Sequence, residues 1–217
     1  MERSNNVKKS EDYFSSEERA RIEAAVQEAE MRTSGEIVPM VVDASYDYPR
    51  AEIVGAGFFA LATGVLTSWA FGGESVWIFL AVFLLAYLPC KLLIRKVPAL
   101  KRAMIPASEF DEEVREKALV SFLEQGLHHT RDRTGILLLI SLFEHRVFVL
   151  ADSGINDRVP EGAWDELVAT ITAGLKEGNA CEALCGAITR CAELLERDFP
   201  LKEGDRDELP NLIMESD

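Results

Sequence analysis

The sequence predicts an α/β fold, a small β-sheet covered by helices, interrupted by a two-helix transmembrane hairpin. Three observations lead there. Two apolar runs lie side by side in the middle of the chain, at about 53–71 and 76–94. On either side of them, apolar residues at helical spacing alternate with short apolar runs of strand length. Neither flank has enough strands for a core of its own, since the first supplies one and the second a pair, so the two must fold together across the insertion.

Taken in order, residues 1–14 (MERSNNVKKSEDYF) are polar and charged where a secretory signal would need an apolar stretch, and read as a loose tail. Residues 15–49 form the first part of the sheet domain. Ser15 followed three residues later by Glu18 is a capping-box signature, and Ile22, Ala25, Val26 and Ala29 repeat at helical spacing, giving a helix over about 16–32. Thr33-Ser34-Gly35 ends it, with Gly35 expected in the left-handed conformation. Glu36 to Asp43 then reads as a buried strand, in which Pro39 signals an edge position or a bulge.

Residues 52–95 form the hairpin. Ile53 to Phe71 is 19 residues without a charge, which at about 1.5 Å per residue nearly spans a hydrocarbon core of about 30 Å. After Gly72-Gly73-Glu74-Ser75 a second apolar run leads through Lys91 to Arg95 and Lys96. Apolar on every face, two such helices could not be covered by a small domain. Gly55, Gly57, Ala60, Ala62 and Gly64 permit close approach of the two helices, or of a second copy. Arg50 precedes the hairpin, Lys91, Arg95, Lys96, Lys101 and Arg102 close it, and the connecting turn has no basic residue, so both termini are expected in the cytoplasm. Trp69, Trp77 and Tyr87 lie near the span ends, as interfacial anchors do.

Residues 105–200 form the second part of the domain. Phe110, Val114, Ala118, Phe122 and Leu123 predict a helix capped by Ser108 and reaching about His129. Ile136–Leu142 and Val147–Leu150 read as a β-hairpin, residues 152–157 as a turn, and about 161–176 and 179–197 as two helices divided by Gly178. The acidic, Pro-interrupted tail 201–217 is expected to be irregular.

Composition excludes some functions. Thirty-seven acidic residues against 23 basic ones give a net charge of −14, which argues against nucleic acid as a partner. Cys90, Cys181, Cys185 and Cys191 form no CxxC pair and have no histidine at ligand spacing, so they read as reduced packing residues; Cys181 and Cys185, on one helix face, leave a soft-metal or redox pair as the alternative. His128, His129 and His145 are expected at opposite ends of the sheet, which does not suit a zinc centre.

Four blocks in order, AEMRTSGEIV at 29–38, DRTGILLLIS at 132–141, VLADSGINDRVP at 149–160 with Trp164 behind it, and RDFPLKEGDRDELP at 197–210, resemble the TPM domain family. That family is shared by thylakoid repair proteins, receptor-associated proteins and many bacterial proteins. The resemblance implies a helix-covered α/β fold, occasional divalent-cation binding, and the acid phosphatase activity suggested for plant relatives. The inserted hairpin departs from members with a terminal anchor and an extracytoplasmic domain. The residues themselves offer no P-loop, no cysteine nucleophile in a phosphate loop and no aspartyl-phosphate motif.

A strand, a crossover and a parallel strand put Glu36 and Arg133 at one end of the sheet, and the returning strand brings Asp152 to the same end. Glu36, Arg133, Asp152, Asn156 and Asp157 are therefore the candidate site for a ligand or a partner's charged group, with Asp152, Asn156 and Asp157 as ligands for a divalent cation such as calcium. The alternative is structural: Asp152 and Asn156 hold the turn, and Glu36 pairs with Arg133. The expected function is a non-catalytic adaptor, or an assembly or maintenance factor for a membrane protein complex, held in the bilayer of a bacterial inner membrane, with homo-oligomerisation through the hairpin open. The second reading is a divalent-cation-dependent phosphatase-like hydrolase at the cytoplasmic face, with Arg133 holding phosphate.

Overall fold

The structure is a computed structural model describing residues 9–71, 75–130, 132–201 and 209–216. Residues 1–45 and 111–217 form one unit and residues 46–110 a second.

In the first unit, α1 (Ser16–Glu30) starts at the expected capping box: the Glu18 N–H donates to Ser15 Oγ at 3.2 Å, and the Ser15 N–H to Glu18 Oε2 at 2.8 Å. Strand β1 (Glu36–Val42) follows. Gly35 is not left-handed; its missing side chain makes room, since a Cβ there would lie 2.6 Å from Leu195 Cδ1. The second unit holds α2 (Pro49–Ala70), α3 (Val76–Lys96) and α4 (Pro98–Ala103). Helix α5 (Ala107–Glu124) leads back into the first unit. Ser108 lies inside α5 rather than capping it, because the first N–H groups of Glu109 and Phe110 donate to the Pro106 carbonyl. The helix also stops short of the histidines: Gly126, at φ 76°, breaks it, and Leu127–His129 make a separate 3₁₀ turn.

Strands β2 (Gly135–Ser141) and β3 (Arg146–Ala151) make the hairpin, followed by α6 (Ser153–Asn156), α7 (Ala163–Glu177), α8 (Ala180–Leu195) and β4 (Ile213–Glu215). The sheet order is β3-β2-β1-β4, with β1 parallel to β2 and β4, and β3 antiparallel to β2. Pro39 thus sits in a central strand. The Glu36 N–H reaches Thr134 on the β2 side and the Asp43 N–H reaches Glu215 on the β4 side, so odd-numbered residues of β1 face β4. Pro39 points its nitrogen there one residue before the pairing with β4 begins at Met40, where no ladder donor is missed.

Side chains alternate across β1 and β2. Ile37, Val41, Ile136, Leu138 and Ile140 pack under α1, α7 and α8, and Val38, Met40, Val42, Leu137 and Leu139 under Val114, Ala118 and Phe122 of α5. Two terminal segments differ from expectation because they have a sheet to bury against. Ser10 and Phe14 are buried, and Leu212 and Met214 pack on the core while Lys117 pairs with Glu215 at 2.7 Å. The rest of the expected tails, at 1–8, 202–208 and 217, lies outside the described residues, as does the turn 72–74.

Within the second unit, small residues let α2 and α3 touch. A Cβ on Gly64 would lie 2.9 Å from the Phe79 ring and one on Gly55 2.8 Å from Ile94 Cδ1, whereas Gly57 has nothing within 4 Å. Lys101 Nζ pairs with Glu52 Oε1 at 3.0 Å. Both helices are long and apolar enough to cross a membrane, and only 22% of the α2 span and 6% of the α3 span is buried. Trp69 and Trp77 are 84% and 79% exposed.

Candidate functional site

At the amino ends of β1 and β2, four segments distant in sequence are tied by hydrogen bonds. Thr33 Oγ1 and the Ser34 N–H both donate to the Phe199 carbonyl, at 2.7 and 2.9 Å. Thr134 Oγ1 donates to the Ser34 carbonyl at 2.8 Å, while its own N–H is received by Thr130 Oγ1 at 3.0 Å. The Asp152 N–H reaches the Gly135 carbonyl at 2.9 Å. Gly154 packs flat on the chain ahead of β2: a Cβ there would lie 2.6 Å from the Arg133 carbonyl oxygen and 2.9 Å from that of Asp132. Arg158 covers the Phe199 ring at 4.8 Å.

The expected site residues therefore converge on one end of the sheet, but they do different things there. Glu36 is buried, in register with Gly135. Arg133 is exposed at φ 56° and makes no ion pair among the described residues, so the expected Glu36–Arg133 pair does not form. Asp152 caps α6, its Oδ1 receiving the Ser153 N–H and hydroxyl. Asn156 is occupied at both ends of its amide: Nδ2 donates to the Ala151 carbonyl at 2.8 Å and Oδ1 receives Trp164 Nε1 at 3.0 Å. Asp157 is exposed at the far end of α6.

Asp152 and Asp157 bracket a one-turn helix from opposite ends, the amide between them is spent on protein groups, and calcium needs six or more converging oxygens. No group of three or more His, Cys, Asp and Glu side chains among the described residues is placed to hold a metal.

The pattern matches a known family. Residues 98–194 match the family model described as the TPM domain. The TPM domain is present at residues 98–194. Among solved structures, the NMR structure of the BA42 protein from the psychrophilic bacterium Bizionia argentinensis sp. nov. is similar over 95% of this chain and 97% of its own. The identity is 22% and the TM-score 0.57, a likeness of fold. No curated protein matches the chain.

The residues that hold this end of the sheet together include several not singled out from the sequence: Thr33, Thr130, Thr134 and Phe199. Their signal was there, as threonines shortly ahead of β1 and β2, but Thr134 meets Ser34 100 residues away and Thr33 meets Phe199 166 residues away. A second polar knot was not foreseen either. At the opposite end of the sheet, the fully buried Glu144 receives the Ser45 N–H on Oε1 at 3.0 Å and the Ser141 hydroxyl on Oε2, while Ser45 Oγ donates to Ser141 Oγ at 3.0 Å. This knot fixes the end of the segment from which the chain leaves the first unit. Beside it opens a cavity of about 430 Å³ lined by Tyr13, Ser141, Leu142, His145, Thr172 and Lys176. Burial, and secondarily the Glu18 carboxylate, raises the Tyr13 phenol above its usual value.

Proposed function

We propose that this TPM-domain protein is a non-catalytic, membrane-anchored adaptor, or an assembly or maintenance factor, for a membrane protein complex. The observation that carries this reading is the exposure of α2 and α3. Leu66, Trp69, Trp77, Leu85 and Leu88 are each more than 60% exposed, and water would not tolerate so large a continuous apolar surface. A lipid bilayer covers it. The basic residues Arg50, Lys91, Arg95, Lys96, Lys101 and Arg102 all belong to one end of the hairpin, so both termini lie in the cytoplasm, at an inner membrane.

Two further features support an adaptor over an enzyme. The polar residues at the amino end of the sheet are spent on one another, as the Asn156 amide and the Thr33, Thr130 and Thr134 hydroxyls are. Arg133 and Asp157 at this end are exposed charges suited to meeting a partner protein.

The test is cross-linking in native membranes followed by affinity purification of the full chain, alongside carbonate extraction. The expected result is a carbonate-resistant protein that brings down one discrete membrane protein, and less of it from Arg133→Glu/Asp157→Lys at equal folded levels. Release by carbonate would overturn the anchor. Retention of saturable phosphatase activity by the purified protein, with no partner, would replace the adaptor with a hydrolase.

A further inference from the structure

The sheet has two edges of very different kind. β4 is three residues long, the sort of short edge that resists unwanted pairing. β3 is six residues, Arg-Val-Phe-Val-Leu-Ala, with no proline, glycine or lysine within it, and no strand lies beyond it among the described residues.

The register says which of its groups are free. Asp152 stands opposite Gly135 and bonds to it, so Leu150, Phe148 and Arg146 are the other hydrogen-bonded positions against β2. Val147, Val149 and Ala151 consequently turn their N–H and C=O groups outward. The Ala151 carbonyl is reached there by Asn156 Nδ2, which confirms its direction; those of Val147 and Val149 meet no donor or acceptor among the described residues. On the α5 face, Phe148 and Leu150 are only partly buried. Leu119 and Leu123, on the flank of α5 that also carries Asp111 to its ion pair with Arg146, are 46% and 58% exposed. Free ladder groups and an apolar shelf thus lie side by side.

We propose that β3 joins β3 of a second copy of this chain, antiparallel and centred on Val149. The strand is self-complementary in that register. Val149 pairs with Val149 and Val147 with Ala151 of the second copy, closing about four main-chain hydrogen bonds, with two more where each Ala151 carbonyl takes a second donor beside Asn156 Nδ2. The alternating positions then set Phe148 beside Leu150 and Arg146 beside Asp152 of the second copy, apolar on apolar and cation on anion, all on the α5 face. Asp152 Oδ2 makes no hydrogen bond among the described residues but is shielded from solvent, so the pairing requires the carboxylate to turn outward toward Arg146 of the second copy. The pairing uses one patch on both copies, as a twofold interface must, and completes an eight-stranded sheet whose ends are the two short β4 edges.

The experiment is light scattering on the full chain in detergent, with Val149→Pro as the deciding variant. Proline at 149 removes an N–H that points away from β2, so the sheet remains while the outer ladder is lost. The expected result is a dimer for the unmodified chain and a monomer for Val149→Pro with an unchanged circular dichroism spectrum. Arg146→Asp should also give a monomer, and Arg146→Asp/Asp152→Arg should restore the dimer. In a Cys90→Ser/Cys185→Ser background, oxidising Phe148→Cys and Leu150→Cys copies together should give the mixed disulfide dimer in preference to either homodimer. A monomeric unmodified chain, or a dimer that survives Val149→Pro, would overturn the proposal, the latter by placing the contact in the hairpin.

Discussion

Gly154 lies against the carbonyl of Arg133 so closely that a single added methyl group would sit 2.6 Å from its oxygen. The contact joins the turn after β3 to the turn before β2, and its partner is backbone that is itself pinned by Thr130 and Thr134. Gly154→Ala is therefore expected to lower stability by about 1–3 kcal/mol, as overpacking against an unyielding neighbour does. Urea denaturation measures this; a midpoint equal to that of the unmodified protein would show that the turn yields.

Asn156 is the hinge pin of the same turn. Asn156→Ala removes the partner of the Trp164 indole N–H and the Ala151 carbonyl, at a cost of about 0.5–1.5 kcal/mol, since both lie near solvent. Trp164 emission should shift to the red as the ring loosens. An unchanged spectrum and midpoint would mean that water replaces both bonds without loss.

Because Asp152 and Asp157 stand at opposite ends of α6 and Asn156 is committed, calcium is expected to bind nowhere on this turn. Titration calorimetry should give no heat beyond dilution and millimolar calcium no thermal shift. A saturable heat lost in Asp152→Asn would establish the site that the geometry disfavours.

Two thiols report on alkaline stability. Burial pushes Cys191 up to about 12, and burial followed by the neighbouring Cys185 pushes Cys181 up to about 11, from an ordinary value of 9.0. A raised folded-state pKa contributes stability that is complete below pH 9 and lost as the pH climbs toward 11 to 12, since over that window the unfolded chain has released protons that the folded chain retains. Melting temperature should fall across this window, and less steeply in Cys191→Ala than in the unmodified chain. Equal slopes would show that other groups govern the alkaline limb.

The buried Glu144 is expected to matter more for its two acceptor oxygens than for its charge. Glu144→Ala strands the Ser45 N–H and the Ser141 hydroxyl in the interior and should cost about 2–3 kcal/mol, while Glu144→Gln, which keeps one acceptor and can turn its amide, should cost less. Thermal denaturation of the pair tests the order; an equally stable alanine variant would remove the knot from the account of the fold.

Much of this was legible locally. The capping box at Ser15 and Glu18, the break between helices at Gly178, and the apolar runs of α2 and α3 are decided within a few residues, by hydrogen-bond geometry and by apolar content. The sequence also determined that Glu36, Arg133 and Asp152 share one end of the sheet, because strand order and a parallel crossover leave no other choice. Tertiary structure alone decided the rest. Pro39 can occupy a central strand only because β4 begins one residue later, and β4 becomes a strand only because β1 offers it a ladder. Asn156 was a plausible ligand in the sequence and became a strut once Trp164 and Ala151 closed on its amide, and Gly35 proved to be space for Leu195 rather than a helix stop. In each case the deciding partner is remote along the chain, and a side chain's pattern fixes the face it occupies while the groups that fold against that face determine what it is free to do.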